Sequence, residues 1–429
     1  MISKEKNKGW TVAFAGMGIN LALGILYAWS IFKAAIKESI QRGGPADFDW
    51  DLATLNDPYA VCCIVFAFAM ILVGKCQDRL GPRITALIGG VLVGIGFIWI
   101  SQTNNYLNWV MGFGILVGTG IGFGYSSATP PALKWFPSSK TGLIAGIVVA
   151  GFGLASVYIA PVANFLLAQW GLQKAMMIFG IAFLTVVCGL SLLLVNPPGG
   201  YVPAEQAPSK TGSSRYKEED VPPLKIIRTM EFYLLWVTYL IGAGAGLMVI
   251  GSVAGMAKES LGEYAFIAVA IMAVGNAGGR VAAGMISDKI GRKITLCIIL
   301  CSQAVLMFAA IPLVGGAGTG PVTLILLASL IGFNYGTNLS IFPSISKDLW
   351  GLKHFGTNYG ILFTAWGVGG FVMGRLSQML NVATGSFSSS FLTAGALLLT
   401  GAALTLFLKS DIREQPLLIE LEAVPEPVR

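Results

Sequence analysis

Residues 265–287 read AFIAVAIMAVGNAGGRVAAGMIS, an apolar run that holds one arginine, Arg280. The run is long enough to cross a bilayer as a helix. Arg280 lies about fifteen residues from its start, roughly 22 Å along at ~1.5 Å per residue. That depth is inside the hydrocarbon zone, too far from either end for an interfacial anchor. A guanidinium there costs at least ~2.5 kcal/mol, so it faces a bundle interior or a wet cavity and needs a partner. A structural ion pair is one solution. No Asp or Glu lies deep in any apolar run of this chain. The other solution is a partner that comes and goes: a diffusible carboxylate.

The surrounding chain fits that setting. It is 55% hydrophobic and 11% charged over 429 residues, where a soluble domain is nearer ~25% charged, so it reads as a polytopic membrane protein. Glycine, 55 residues, is about twice its usual share and suits closely packed membrane helices. Close GxxxG spacings occur at Gly118/Gly122, Gly142/Gly146, Gly275/Gly279 and Gly370/Gly374. The six cysteines, Cys62, Cys63, Cys76, Cys188, Cys297 and Cys301, lie in or beside apolar runs and read as reduced packing residues. With a single histidine there is no metal-ligand spacing, so neither metal nor cofactor is expected. The basic start MISKEKNKG leads into an apolar segment too long for a signal peptide, and is read as preceding an uncleaved first span.

Twelve apolar spans can be placed, six on each side of a Pro-, Ser- and charge-rich stretch at 196–230. The expected organisation is a six-helix half at 1–195, a linker at 196–230, a second six-helix half at 231–408 and a tail at 409–429. A long polar loop is expected at 33–53. With both termini on the inner side, 21 of the 28 Lys and Arg fall in inner segments and five in outer loops. That asymmetry predicts cytoplasmic termini and linker. It also explains the net charge of +7 without nucleic acid.

The halves repeat. GKCQDRLGPR at 74–83 and GMISDKIGRK at 284–293 share an acid–base–x–Gly–x–base pattern at an offset of 210 residues. The Gly permits close helix approach, and the acids Asp78 and Asp288 can bridge to bases across the turn, holding one face shut. Arg79, Arg83, Lys289 and Arg292 complete these candidate gates. A second echo joins WFPSSKTG at 135–142 to WGLKHFG at 350–356. Two related halves are the layout of a transporter that rocks about a site between them.

These paired turns resemble the signature loops of the major facilitator superfamily, over about residues 10–408. KWFPSSKTGLIAGIVVAGFGLA at 134–155 and GNAGGR at 275–280 resemble segments of the monocarboxylate transporters and of the oxalate/formate antiporters. NKGW at 7–10 partly matches the opening motif of the former, and NYG at 358–360 looks more like the latter. The resemblance implies an all-α membrane protein with twelve transmembrane helices in two pseudo-symmetric six-helix halves. It implies a carrier in the cell (inner or plasma) membrane, with a small monocarboxylate and a proton as partners, working as a monomer. Lactate-, pyruvate- and acetate-like acids are the expected substrates.

The departures are informative. Animal monocarboxylate transporters carry an Asp where this chain has Asn276, and a span 1 lysine where it has Ile31. The oxalate carriers' second cation aligns with Trp366. A buried dicarboxylate needs both charges compensated. Arg280 is the one deep cation, and Arg375 is read as snorkelling to the outer surface. One guanidinium favours one carboxylate.

Tyr27, Tyr125 and Tyr335 fall at the family's aromatic positions around the anion. A phenol in a span also serves as an anchor or packing group. Asn276, one turn from Arg280, can bind a substrate hydroxyl, hold the guanidinium or bond another helix. Tyr359 is a gate or packing candidate. Asp57 and His354 are the proton-coupling candidates, Asp57 alternatively as a helix cap and His354 as a solvated loop residue. Electroneutral symport is the expected mode. Anion exchange and a non-transporting sensor are the alternatives. An enzyme is disfavoured, since there is no buried carboxylate pair, metal cluster or Ser–His arrangement.

Overall fold

The computed structural model describes residues 8–44, 47–199, 201, 220–261, 265–314, 320–384 and 388–408. Most of the linker, all of the tail, and the side chains of Asp78 and of residues 251–266 lie outside the described residues.

The described chain is helical throughout. Among the described residues, ten segments are long and apolar enough to cross a membrane, and one of them, Thr141–Ser191, is 51 residues long. The first span is α1 (Gly9–Leu23), a five-residue 3-10 turn Gly24–Ala28, and α2 (Trp29–Arg42). α2 runs through the stretch read as the start of a polar loop. Phe32 and Ile36 bury one of its faces, and Gly43 ends it in the left-handed conformation (φ 69°) that only glycine adopts cheaply.

α3 (Asp57–Ile100) is two crossings reversed at Gly81, φ 80°, with Pro82 next to it. Then come α4 (Tyr106–Trp109), a π-helical stretch Val110–Val117, and α5 (Gly118–Trp135), which form the fourth crossing. α6 (Thr141–Ser191) is again two crossings, reversed at Gly171, φ 74°. The repeat of this device has a physical cause. Each tight reversal needs φ > 0, and glycine supplies it without a Cβ clash.

After the short α7 (Pro223–Ile226), six further crossings follow: α8 (Met230–Leu261), α9 (Ala265–Ile290), α10 (Arg292–Val314), α11 (Pro321–Trp350), α12 (Phe355–Thr384) and α13 (Ser388–Thr405). Twelve crossings result. Within the first six, α1 packs on α5 and α6, and α3 on α5. Within the last six, α9 packs on α11, α8 on α12 and α10 on α13. The two sets meet along α6 with α9, α3 with α12, and α6 with α11.

Both interhalf seams close at glycine pairs on the linker side. A Cβ on Gly284 would lie 2.2 Å from the carbonyl oxygen of Gly142, and one on Gly74 would lie 2.4 Å from the carbonyl carbon of Gly356. These are the glycines of the two repeated motifs, so the sequence repeat is also a repeat of contact.

Candidate functional site

Arg280 sits midway along α9 with no exposed surface. Gly279 beside it lets the helix touch α11, where a Cβ would collide with the carbonyl of Phe333. The guanidinium donates three ways. Nε bonds Asn276 Oδ1, one turn earlier, at 3.0 Å. Nη1 bonds the carbonyl of Val149 on α6. Nη2 reaches the Tyr27 hydroxyl on the 3-10 turn at 3.4 Å. Every one of these partners is neutral, and among the described residues no carboxylate pairs with Arg280.

The third contact joins a closed chain of aromatic groups from both halves. The Tyr27 and Tyr335 hydroxyls share a hydrogen bond of 2.8 Å. Trp366 Nε1 donates to the Tyr335 hydroxyl at 2.9 Å. From Trp366 the chain continues by ring contacts to Phe66 (5.4 Å), Tyr125 (5.4 Å), Phe152 (5.4 Å) and back to Tyr27 (5.3 Å). Arg280, Asn276, Tyr27 and Tyr335 are thus in one hydrogen-bonded cluster, and Tyr125 belongs to its aromatic wall. The Tyr125 hydroxyl is buried and approaches Tyr359 without a hydrogen bond of good geometry. Tyr359 shares a long 3.4 Å contact with the Tyr239 hydroxyl. Chemically, the cluster offers one fork of donors inside a ring-lined, carboxylate-free space.

The proton-coupling candidates are elsewhere. Asp57 is in the first turn of α3, where Asn56 and not Asp57 is the cap residue, and accepts from the Tyr106 hydroxyl at 2.7 Å. His354 is in the turn between α11 and α12, its carbonyl accepting from the Asn358 amide at 2.9 Å. Neither is hydrogen-bonded to the Arg280 cluster.

Of the gate candidates, Asp288 and Arg292 are engaged. Asp288 accepts from the amides of Gly142 and Leu143, both at 3.0 Å, at the start of α6 in the other half. Arg292 pairs with Asp288 at 2.7 Å and with Asp348 at 2.8 Å, and donates to Ser287 Oγ at 2.5 Å. The carboxylate meets helix N–H groups where the helix dipole favours negative charge. Arg79, Arg83 and Lys289 are exposed, and the Asp78 side chain lies outside the described residues.

Sequence reasoning missed one buried cation. Lys347, one of the bases counted above in the inner segments, is 2% exposed and donates to Thr141 Oγ of the other half at 2.7 Å. A signal was present: Asn334, Thr337, Asn338, Ser340, Ser344 and Ser346 precede it on α11, and all are buried. Such polar density inside a span marks a helix enclosed by protein. Arg375 is exposed, with its guanidinium 5.6 Å from the Phe371 ring centroid.

On the side away from the linker, Asp47 closes the loop after α2. It accepts from Ser39 Oγ at 2.7 Å and the Gly44 amide at 2.9 Å, with Arg42 at 3.3 Å. The Ser39 hydroxyl, then the Gly44 amide, hold its carboxyl below the usual carboxylate range.

The family model of the Major Facilitator Superfamily matches residues 10–374 and 256–428. The chain is 28% identical over 376 residues to the uncharacterized MFS-type transporter YhjX of Escherichia coli, covering 86% of this chain and 87% of that one. It is 26% identical to the oxalate:formate antiporter of Oxalobacter formigenes, over 84% of this chain and 81% of that one. It is also 26% identical to human monocarboxylate transporter 11, over 92% of this chain and 81% of that one. Among solved structures, the E. coli fucose:proton symporter FucP shares the fold, with a TM-score of 0.62 at 14% identity, over 94% of this chain and 98% of that one.

Proposed function

Because the chain belongs to the Major Facilitator Superfamily, we propose that it is a proton-coupled symporter of a small monocarboxylate such as L-lactate, working by alternating access. The observation that carries this reading is the guanidinium of Arg280, fully buried and, among the described residues, bound only to neutral groups of both halves. An entering carboxylate takes the Nη donors now spent on Val149 and Tyr27, in a bidentate pair. Because one of those groups belongs to α6 and the other to the first span, the exchange loosens one half from the other. Asn276 keeps Nε and so holds the fork in orientation. The phenols of Tyr27 and Tyr335 bond the carboxylate or a substrate hydroxyl, and Tyr125 closes the wall.

One cation and no nearby carboxylate favour a single negative charge. The proton then travels on the substrate or on an edge group, with Asp57 and His354 as the protein's candidates. The linker-side face is assigned to the cytoplasm by its excess of Lys and Arg. On that basis the chain is divided into halves at 1–195 and 231–408, with a cytoplasmic linker (196–230) and tail (409–429), in the plasma or inner membrane.

Uptake of labelled L-lactate into proteoliposomes, with and without an inward proton gradient, tests the reading. Gradient-driven accumulation that Arg280→Gln abolishes is the expected result. Gradient-independent, normal uptake by that variant refutes the site. The similarity to an oxalate:formate antiporter favours one other reading, anion exchange. Uptake only into vesicles preloaded with a second anion would establish it.

A further inference from the structure

On the linker side of Arg280, three buried phenols bring their hydroxyls together: Tyr125 of α5, Tyr239 of α8 and Tyr359 of α12. The Tyr359 hydroxyl stands between the other two, 3.4 Å from that of Tyr239. The Phe363 ring lies against all three, its centroid 5.6 Å from that of Tyr125, 6.1 Å from Tyr239 and 5.7 Å from Tyr359. Tyr359 is about 6 Å, and Tyr239 about 13 Å, from the linker-side starts of α12 and α8, at ~1.5 Å per residue. The Arg280 Cα is about 15 Å from the linker-side end of α9, and its guanidinium points further outward, to Asn276. The triad therefore lies between the guanidinium and the linker side.

Packing accounts for the rings and not for the hydroxyls. Tyr239 stacks on Phe342 at 4.0 Å and Tyr359 on Phe355 at 5.7 Å, and phenylalanines would stack there as well. The three hydroxyls offer three O–H donors. Among the described residues the one hydrogen bond they make is the 3.4 Å contact, long for O–H···O, and the Tyr125 hydroxyl, on a side chain 3% exposed, has none. Leaving a buried hydroxyl without a partner is unfavourable. The charged groups on either side are engaged elsewhere: Arg280 with its neutral partners, Lys347 with Thr141, and Arg292 with Asp288 and Asp348. Tyr125 belongs to the first six crossings and the other two phenols to the last six. Parting of the halves on the linker side thus opens the space between their hydroxyls.

Resting on the Arg280 reading above, we propose that this triad is a second substrate station, which takes the monocarboxylic acid in its undissociated form. A carboxylate moved there would lose its cation in a low-dielectric space, and a buried carboxyl so placed takes up a proton instead. The undissociated group has one O–H donor and a carbonyl acceptor, and phenols both donate and accept. The acid leaves Arg280 with a proton taken from the outer side, binds the triad, and gives the proton to water on the linker side. One anion and one proton cross together with no net charge, and the guanidinium returns to Val149 and Tyr27.

The test uses the full-length chain in right-side-out and inverted membrane vesicles, with labelled L-lactate as the probe. Tyr239→Phe and Tyr359→Phe keep the rings and remove one hydroxyl each. In inverted vesicles, where the linker side faces the medium, each is expected to raise KM about tenfold, the loss of one hydrogen bond to the acid. In right-side-out vesicles, where Arg280 captures the anion first, KM stays at its native value. A change of KM on one side only is what a ligand contact produces and a packing role does not. Tyr233→Phe, on the exposed face of α8, changes neither. Trifluorolactate, a far stronger acid, tests the protonation state. It is expected to compete with lactate in right-side-out vesicles yet to enter about tenfold more slowly, since less of it is protonated at any pH. An unchanged linker-side KM in both variants overturns the station, and leaves the Arg280 site standing where Arg280→Gln still abolishes uptake. Entry of trifluorolactate as fast as lactate overturns the undissociated form.

Discussion

The halves of this molecule touch through buried cations at two levels, and the cations are compensated differently. On the linker side, Arg292 has two carboxylates and Lys347 a hydroxyl across the seam. At the centre, Arg280 has an amide oxygen, a carbonyl and a phenol. A cation paired with fixed carboxylates is finished, and removing a partner leaves a charge stranded. A cation held by dipoles is supported without being neutralised, so it still gains from an anion. The first pattern builds a latch and the second a receptor, although both use arginine in a membrane helix.

Substitution separates the two most sharply at Arg280. Arg280→Gln is expected to lower carboxylate uptake by about a hundredfold or more, the loss of a bidentate charged contact. Its unfolding midpoint should stay level or rise, because a buried unneutralised charge has been removed. A large fall in stability would place Arg280 with the latch instead. Asp288→Asn is the reverse case. It leaves Arg292 with one carboxylate and weakens two N–H contacts to α6, so stability should drop by about 3 kcal/mol in denaturant titration. Uptake should persist at a reduced level.

A smaller effect compares the seams with each other. Gly142→Ala would put a Cβ 2.4 Å from the Gly284 carbonyl oxygen, and Gly74→Ala would put one 2.3 Å from the Thr357 amide nitrogen. Each should cost about 1–3 kcal/mol by overpacking. Equal costs in thermal unfolding would support a true two-fold of contacts, and a one-sided cost would break it.

The smallest effect lies at Asp47, a network confined to one half. Its folded pKa is depressed, so its contribution is present above the unfolded value of ~4 and lost as pH falls through the folded value. The midpoint difference between the native chain and Asp47→Asn should hold from neutral pH to about pH 5 and vanish in stronger acid. Linker-side closure should not respond.

Much of this was legible in the residues, for reasons that differ by level. Hydropathy marks crossings because lipid forbids anything else at that depth, so twelve spans were readable. The reversals at Gly81 and Gly171 follow from glycine's access to positive φ. The Arg280–Asn276 contact is helix arithmetic, one turn on one face. Tyr27 and Tyr335, 308 residues apart, could be proposed from resemblance, but their hydrogen bond depends on how the halves meet. Lys347 escaped because a base near a helix end is ordinarily solvated, and only the packing of α6 over α11 buries it. The extension of α2 to Arg42 escaped because its polar face reads as loop while Phe32 and Ile36 are seen only in context.

The 3-10 turn at Gly24–Ala28 has a mechanical consequence. A five-residue turn wound at three residues per turn rotates the chain about 100° further than an α-helix would, and lengthens it by about 2.5 Å. Tyr27 sits on that overwound piece, so its grip on Tyr335 and its reach to Arg280 are set by local winding as much as by the tilt of a whole half. Relaxing those five residues to α-helical pitch would turn α2 like a crank and shorten the span. The hydroxyl would then swing off the guanidinium while the other eleven crossings stayed where they are.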